Sequence, residues 1–333
     1  MEKINEQVLK ELLMTFGPSG HEEKVRQFIE NEIKDYVDEI QVDVLGNLIA
    51  RKKGPGKKIM LAGHMDQIGF MVTYIDKNGF LRFTNIGGIS PTVSLSQRVI
   101  FNNGTIGVIG SENLESAKDL KLDKMYIDIG ATSKEEAEKL VEIGDVCGYH
   151  HDATIDNLKV ISPSLDDRIG CYIMMETIKE LKEVKNDLYF VFTVQEELGI
   201  RGAKTSAYRV EPEIGIAYDV TMTGDTPKAR TMALKMGKGL AIKARDNSLI
   251  THPKLKEHLI NEAKKGDFPY QIEVLEFGGT DSGAIHLSKE GVPSGVISIP
   301  TRYIHSTCEM VSTKDVIDSV NYSLQVLNSD FSF

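Results

Sequence analysis

The stretch YFVFTVQEELGIRGA, residues 189–203, joins an apolar run to two adjacent carboxylates and then to a glycine. Apolar residues on both faces are typical of an internal strand of a parallel sheet. The strand would then end at Glu196 and Glu197, at the edge where open α/β sheets bind their ligands. The two glutamates could equally belong to a solvated loop. Other residues of the chain are needed to distinguish a functional site from such a loop.

The overall composition places the chain among globular proteins. It has 333 residues, of which 41% are hydrophobic and 26% are charged. This length favours two domains of roughly 100 to 200 residues each. No segment approaches the roughly 20 apolar residues of a membrane span, and the N-terminal stretch lacks the apolar core of a signal peptide. We therefore expect a cytoplasmic protein without a membrane partner.

Charge and cysteine usage argue against three further classes of protein. The net charge is −10 and no long run of Lys and Arg occurs, so the chain has no electrostatic footprint for nucleic acid. The cysteines Cys147, Cys171 and Cys308 are far apart, which argues against a disulfide framework and against a thiolate zinc site. The excess of acidic residues suits cation binding instead.

Two patterns of sequence divide the chain. Residues 67–160 consist of short β segments separated by Gly and Asn, which predicts an inserted β-rich domain. Residues 1–66 and 161–333 alternate strands with helices, which predicts one discontinuous α/β domain with a mixed, largely parallel sheet flanked by helices. Near the N-terminus, Ser19 and Glu22 have the spacing of a capping box at the start of a helix.

Polar residues follow several apolar runs of the predicted α/β domain. They occur in LAGHMDQIG, SPSLDDRIG, TVQEELG, AYDVT and PTRYIHST, and they include His64, Asp66, Asp166, Asp219 and His305. Residues two apart in a strand share a face, so Asp66 could hold the outer ring nitrogen of His64. One βαβ length separates Asp166 from Glu196, which predicts the same edge of neighbouring strands. Taken singly, each residue could equally be a strand end, a helix start or a core histidine.

Together these residues form a donor set suited to zinc, cobalt or manganese. Two divalent ions would be neutralised by three carboxylates and one hydroxide, which leaves one glutamate free to act as a base. Adjacent residues at a strand end point in opposite directions. One of Glu196 and Glu197 could therefore bind metal while the other takes the proton from the metal-activated water.

These motifs resemble the dinuclear-metal aminopeptidases of metallopeptidase family forty-two, the glutamyl, lysyl, leucyl and deblocking enzymes. The resemblance rests on GHMDQIGFMV, LDDRIGC, TVQEELGIRGA, DVT, GGTDSGA and IPTRYIHS, in this order, and spans essentially the full chain. It implies a zinc-peptidase-like catalytic domain with an inserted β-barrel-like lid or oligomerisation domain. It also implies two divalent metal ions per subunit, zinc or cobalt, and a homo-oligomer that is a tetrahedral dodecamer.

The resemblance further implies roles for single residues. The ions would be bound by His64, Asp219 and a bridging Asp166 on one side and by Glu197 and His305 on the other. Glu196 would be the general acid/base, Asp66 would orient His64, and the Asp166–Asp167 peptide bond would be cis.

Two segments beside these residues stay open to interpretation. Gly279, Thr280 and Asp281 resemble a segment that lines the substrate cleft, although the same letters suit a glycine turn that caps a helix. Where the common family pattern is HMDEIG, this chain has Gln67. The missing charge could alter metal affinity or the pH profile.

The leading hypothesis is a metallo-aminopeptidase that acts on short peptides with a free N-terminus. The alternative is a glycoside hydrolase that acts through a carboxylate pair, because relatives of this kind are sometimes labelled endoglucanases. Glycosidases do not need a His-rich metal set, and the chain has no Trp to stack on sugars. A non-catalytic metal-binding or peptide-binding scaffold would not need the additional Glu196. Acidic, basic and apolar N-terminal residues are all open as substrates at this point.

Overall fold

Helices and strands alternate along much of the chain, and the computed structural model describes residues 1–332. The helices are α1 Glu6–Met14, α2 Glu23–Ile33, α3 Pro91–Ser94, α4 Lys134–Ala137, α5 Leu165–Glu180, α6 Arg201–Val210, α7 Pro253–Lys265, α8 Ser282–Ile285 and α9 Thr313–Leu327. Within residues 1–332, no helix has both the length and the apolar character needed to cross a membrane.

The strands form two separate sheets. They are β1 Glu39–Val42, β2 Leu48–Lys52, β3 Lys58–His64, β4 Gly69–Ile75, β5 Leu81–Ile86, β6 Arg98–Phe101, β7 Ile106–Ser111, β8 Met125–Asp128, β9 Val146–Tyr149, β10 Thr154–Ile155, β11 Lys159–Ser162, β12 Asp187–Thr193, β13 Ile214–Met222, β14 Leu240–Arg245, β15 Tyr270–Val274, β16 Ser294–Arg302 and β17 Glu309–Ser312.

Residues 189–203 fold as a strand, a turn and a helix. β12 is almost wholly buried and ends at Thr193, so the two glutamates lie in the following turn and not in the strand. Gly199 in this turn has a φ of 108°, a conformation that favours glycine. A Cβ atom on Gly202, in the first turn of α6, would overlap the carbonyl oxygen of Val194. Glycine therefore lets the helix begin directly against the end of the strand.

The large sheet is mixed with a parallel centre, which confirms the predicted fold class. Its order is β1-β2-β12-β3-β13-β16-β17-β11-β10, and β14 and β15 extend it beside β16. β12, β3, β13 and β16 are parallel neighbours, whereas the outer pairs in this order are antiparallel. Thr193 pairs with His64 at the ends of β12 and β3. Both strands therefore deliver the residues that follow them to the same edge.

β3 is buried on both faces. Ile59 and Leu61 belong to the main core, which includes α5, whereas Met60 and Ala62 pack in a second core with α6 and α8. α5 itself is buried over most of its length, because it packs on β3 and β13 and against α1, α2 and α9. Burial of one aliphatic side chain contributes about 1.5–3 kcal/mol. Packing on both sides thus fixes the sheet edge that carries the polar residues.

The second sheet is a closed antiparallel barrel in the order β4-β5-β8-β7-β6-β9. The barrel has its own core, in which Phe70 contacts Phe83 and Tyr149 edge to face, at ring-centroid distances of 5.0 and 5.3 Å. The chain leaves the large sheet after β3 and returns to it with β10. The domain boundaries at residues 67 and 160 stay a prediction.

Candidate active site

The predicted metal ligands converge at the carboxyl edge of the parallel strands. Two groups of side-chain ligand atoms form there, each with all atoms within 4.8 Å of one another: His64, Asp166 and Asp219, and Asp166, Glu197 and His305. Asp166 belongs to both groups. Because imidazole and carboxylate donors are those that zinc and similar divalent ions take, these residues could hold metal ions.

Asp166 reaches this edge by a route that the sequence did not predict. β11, which precedes Asp166, and β12, which precedes Glu196, are separated in the sheet by β3, β13, β16 and β17. The prediction of neighbouring strands is therefore wrong. β11 nevertheless runs in the same direction as the central strands, because it is antiparallel to β17 and β17 is antiparallel to β16. The two acids still meet at one edge, and α5 crosses the sheet between them.

Asp166 lies between the two histidines. Nε2 of His64 is 3.0 Å from Oδ1 of Asp166. Nε2 of His305 is 3.3 Å from Oδ2 of Asp166 and 3.2 Å from Oε1 of Glu197. On the far side of the His64 ring, Nδ1 is 3.0 Å from the carbonyl oxygen of Asp66 and 3.5 Å from its carboxylate. The backbone of Asp66 is thus the nearer partner, and this contact leaves Nε2 facing the shared carboxylate.

The carboxylate of Asp66 holds the turn that carries the two glutamates. It accepts hydrogen bonds from the N–H groups of Glu196 and Glu197, at 3.0 and 3.2 Å, and from the Ser19 hydroxyl at 2.6 Å. Because β12 ends at Thr193, the two glutamates lie outside the strand, and the predicted alternation of a strand does not set their directions. The turn presents both carboxylates to one cavity.

Asp167 and Gln67 form buried hydrogen bonds next to the candidate ligands. The Asp166–Asp167 peptide bond is cis, as the resemblance implied. The fully buried Asp167 accepts hydrogen bonds from the N–H groups of His64, at 3.2 Å, and Gly170, at 3.1 Å. Oε1 of Gln67 accepts a 2.7 Å hydrogen bond from Arg168, which is also fully buried. The effect of Gln67 on metal affinity stays a prediction.

Two buried acids, Glu22 and Glu309, hold the backbone beside the site, a role that the sequence did not predict. Glu22 accepts a 3.1 Å hydrogen bond from the N–H of Gln195. Glu309 accepts hydrogen bonds from the N–H groups of His305, at 2.8 Å, and Asp166, at 2.9 Å. Gln195 and His305 have φ angles of 55° and 61°, which are unfavourable for residues other than glycine. A carboxylate therefore anchors each of the two strained positions.

The predicted capping box at Ser19 and Glu22 does not form. α2 begins at Glu23 without a side-chain cap, while Ser19 bonds to Asp66 and Glu22 bonds to the N–H groups of Gly20 and Gln195. A hydroxyl and a carboxylate ahead of a helix suit either task, so their spacing could not distinguish them. The role of Glu309 could have been suspected from the sequence, because Glu309 is a single acid that begins a short strand segment soon after His305.

The electrostatics of the site favour bound cations. Burial raises the pKa of the Glu196, Glu197 and Asp219 carboxyls above the ordinary range, and nearby carboxylates raise it further. Burial lowers the pKa of His305, but the carboxylates of Asp166 and Glu197 outweigh this effect and raise it to about 12. Divalent cations among these groups would stabilise their ionised forms. The donor set and its charge therefore fit metal ions.

A cavity of about 550 Å³ opens beside the two groups, within the range of small-molecule sites. Of the three residues predicted to bind substrate, Gly279 lines this cavity, whereas Thr280 and Asp281 are 1% and 2% exposed and do not. Asp281 accepts a hydrogen bond from the Thr193 hydroxyl, and burial raises the pKa of Asp281 to about 6. A role of these three residues in substrate binding stays a prediction.

Glu22 generates a prediction about stability and pH. Burial, and then the charge of Asp66, raise the pKa of Glu22 to about 7. Arg168 is the nearby cation, and the charge of Glu22 acts to raise the pKa of Arg168. The native state then binds more protons than the unfolded state between about pH 4.5 and 7, so Glu22 lowers the free energy of unfolding as the pH rises. Relative to wild type, Glu22→Gln should gain about 3 kcal/mol of unfolding free energy between pH 4.5 and 8.

Urea denaturation of the metal-free protein across this pH range measures the effect. Glu23→Gln is the matched control, because Glu23 is the adjacent glutamate and is exposed. Parallel curves for Glu22→Gln and wild type would contradict the prediction.

Glu309 generates a prediction about metal affinity. Both of its carboxylate oxygens accept backbone hydrogen bonds. In Glu309→Gln, the side-chain NH₂ group would face one of these backbone N–H groups, and two donors cannot form a hydrogen bond. We expect metal affinity to fall by about 10- to 100-fold, as is usual when a group that orients a ligand is lost. Competition with a chromophoric chelator measures the affinity, and circular dichroism checks the fold. The exposed Glu290→Gln serves as control, and equal affinities would argue against the anchoring role.

Comparison with known proteins agrees with this geometry. Residues 46–321 match the family described as M42 glutamyl aminopeptidase. A chain from Acetivibrio thermocellus is 54% identical over 96% of this chain and 97% of its own length. Lysyl aminopeptidase from Pyrococcus furiosus is 35% identical, over 97% of each chain.

Solved structures are similar over nearly the whole length. The TET aminopeptidase from Thaumarchaeota archaeon SCGC AB-539-E09 has a TM-score of 0.94 and 38% identity, covering 98% of this chain and 97% of its own. The PhTET1-12s structure, described as a dodecamer, has a TM-score of 0.89 and 33% identity, covering 97% of this chain and 99% of its own. A structure called an endoglucanase, from Thermotoga maritima, has a TM-score of 0.82 and 33% identity, covering 96% of each chain.

The expected family is therefore confirmed along most of the chain, together with the hydrolase class. The resemblance in six ordered motifs, the α/β sheet with its barrel, and the shared aspartate between two histidines all agree with it. The chain belongs to the M42 glutamyl aminopeptidase family.

Proposed function

We propose that the protein is a metal-dependent aminopeptidase that removes the N-terminal residue from short peptides. One observation carries this proposal: two groups of ligand atoms share Asp166, while Glu196 lines the same cavity and belongs to neither group. The site thus offers a carboxylate that is free to move protons. The family and the lysyl aminopeptidase relative support the same activity.

The donor set suits two divalent ions, with zinc or cobalt as the best candidates. Each would be held by one histidine and two carboxylates, with Asp166 shared: His64 and Asp219 on one side, Glu197 and His305 on the other. When bound, the ions would polarise the peptide carbonyl and lower the pKa of the attacking water.

We assign Glu196 the role of general acid/base. Its N–H is fixed by the Asp66 carboxylate at 3.0 Å, and its side chain lines the cavity. Burial raises the pKa of Glu196 well above the ordinary value, which brings a carboxyl group closer to the range useful for proton transfer. Glu196 takes a proton from the attacking water and gives it to the amine of the departing peptide. Asp66 acts through Glu196 and His64, as a positioning residue.

The assembly is part of the proposal. We infer a homo-dodecamer, because the similar PhTET1-12s structure is described as one. In it, residues 67–160 would form the lid or oligomerisation domain. Sedimentation of the metal-loaded protein tests the assembly. The cytoplasmic location stays a prediction.

The glycoside hydrolase alternative has less support. A glycosidase needs two carboxylates that face each other across the bond, about 5 to 9.5 Å apart. Oε1 of Glu197 lies 3.2 Å from Nε2 of His305, and Glu197 belongs to a ligand group. Of the two adjacent glutamates, Glu196 would then have to act on a glycosidic bond without Glu197 as its partner. The similar endoglucanase structure makes a direct test worthwhile.

The proposed activity predicts metal-restored cleavage. Chelator-stripped protein should not hydrolyse aminoacyl-anilides and tripeptides, and zinc or cobalt should restore the release of N-terminal residues. N-acetylated copies of the same peptides should resist cleavage, because the free amine is required. Carboxymethylcellulose is assayed in parallel. Sugar release without metal and without peptide cleavage would overturn the proposal.

Glu196→Gln separates metal binding from proton transfer. We expect the variant to keep its metal content, because Glu196 lies outside both ligand groups, while kcat falls by about 10²- to 10⁴-fold. Elemental analysis and steady-state kinetics measure the two quantities. Glu183→Gln, at an exposed position after α5, is the control. Wild-type turnover in Glu196→Gln would remove Glu196 from its role.

A further inference from the structure

The cavity beside the ligand groups has an apolar wall. Apart from Glu196 and the candidate metal ligands, its lining within residues 1–332 contains no Lys, Arg, Asp or Glu. The wall is formed by Thr221, by glycines and by six apolar residues: Ile200, Val220, Met222, Leu275, Phe277 and Ile304. A substrate side chain that points away from the ligand groups therefore meets hydrocarbon.

A cluster of charged residues is buried behind Thr221 of this wall. Nζ of Lys243 lies 2.7 Å from Oε1 of Glu273 and 3.4 Å from Oδ2 of Asp246, and all three side chains are at most 1% exposed. The hydroxyl of Thr221 donates a 2.8 Å hydrogen bond to the same oxygen of Glu273. None of the three lines the cavity, and all are buried, so this cluster exposes neither a cation to a glutamyl side chain nor an anion to a lysyl side chain.

Two exposed charged residues line a different cavity that shares part of this wall. Arg230 and Glu276 line a neighbouring space of about 280 Å³, and both are exposed. Phe277 and Leu275 belong to the linings of both cavities, and the Arg230 guanidinium stacks 4.7 Å from the centroid of the Phe277 ring. The hydrocarbon of Phe277 and Leu275 therefore stands between these charges and the catalytic cavity.

We propose that the site selects peptides whose N-terminal residue is uncharged and apolar, such as leucine, methionine or phenylalanine. This inference rests on the proposed aminopeptidase function. In an exopeptidase no residue precedes the first one, so the part of the cavity beyond the ligand groups is filled by the first side chain. A charged side chain loses hydration there without gaining a partner, whereas an apolar one is removed from water. The preference differs from the charged residues in the names of the family and of the lysyl relative.

A substrate series tests the preference. Leucyl-, methionyl-, phenylalanyl-, lysyl- and glutamyl-p-nitroanilides, and the matching X-Ala-Ala tripeptides, are hydrolysed with the cobalt- or zinc-loaded enzyme. We expect kcat/KM for the apolar residues to exceed that for lysine and glutamate by about tenfold or more, the discrimination that apolar pocket contacts give. Equal or higher values for lysine or glutamate would overturn this inference and leave the aminopeptidase function intact. Failure to cleave every substrate would instead overturn the proposed function.

A pair of variants tests the assignment of the wall. Met222 ends β13 and is 40% exposed, so a polar side chain is tolerated there. Met222→Glu adds a charge to the wall, and Met222→Gln has nearly the same shape without the charge. The ratio of lysyl to leucyl kcat/KM should be about tenfold higher in Met222→Glu than in Met222→Gln, because opposite charges attract in the cavity. Equal ratios would overturn the placement of the N-terminal side chain against this wall.

Discussion

Like charges crowd the buried edge of the sheet, and the rest of the site is arranged around their repulsion. Asp166, Asp219, Glu196 and Glu197 all line one cavity, and water screens them poorly because they are largely buried. Two histidines between them supply too little positive charge for full compensation. Divalent cations are the groups that would make this arrangement stable. The same electrostatics explain why a remaining carboxylate can hold and release a proton.

The backbone around these side chains is held by further acids, which act as hydrogen-bond acceptors. Asp66 binds the glutamate turn, Asp167 binds the N–H of His64, and Glu309 binds the N–H groups of two candidate ligands. Glu22 likewise accepts a hydrogen bond from the N–H of Gln195. Each carboxylate fixes at least one main-chain position. The ligands are thereby preorganised by the packed sheet and not by flexible surface contacts.

Much of this arrangement was predictable from the sequence, because buried parallel strands have a simple signature. The apolar run at 189–194 and the polar residues after each strand predicted the sheet and its functional edge. Strand order was less accessible, because the connection from β11 to β12, which contains α5, passes four strands of the sheet. The spacing of residues along the chain does not reveal such a crossing. The role of Glu22 was hidden for a related reason. Its partner, Gln195, is 173 residues away, whereas the capping-box spacing suggested a local partner.

The insertion of the barrel between β3 and β10 has a consequence for synthesis of the protein. His64 and Asp166 leave the ribosome long before His305 and Glu309, which lie close to the end of the chain. The parallel centre of the large sheet is complete only after β16 has been translated, because β16 is its last strand in the sequence. A chain that ends before residue 305 therefore lacks one histidine and its anchor. The peptidase activity that we propose therefore requires translation past Glu309, and a product that ends before His305 would lack it.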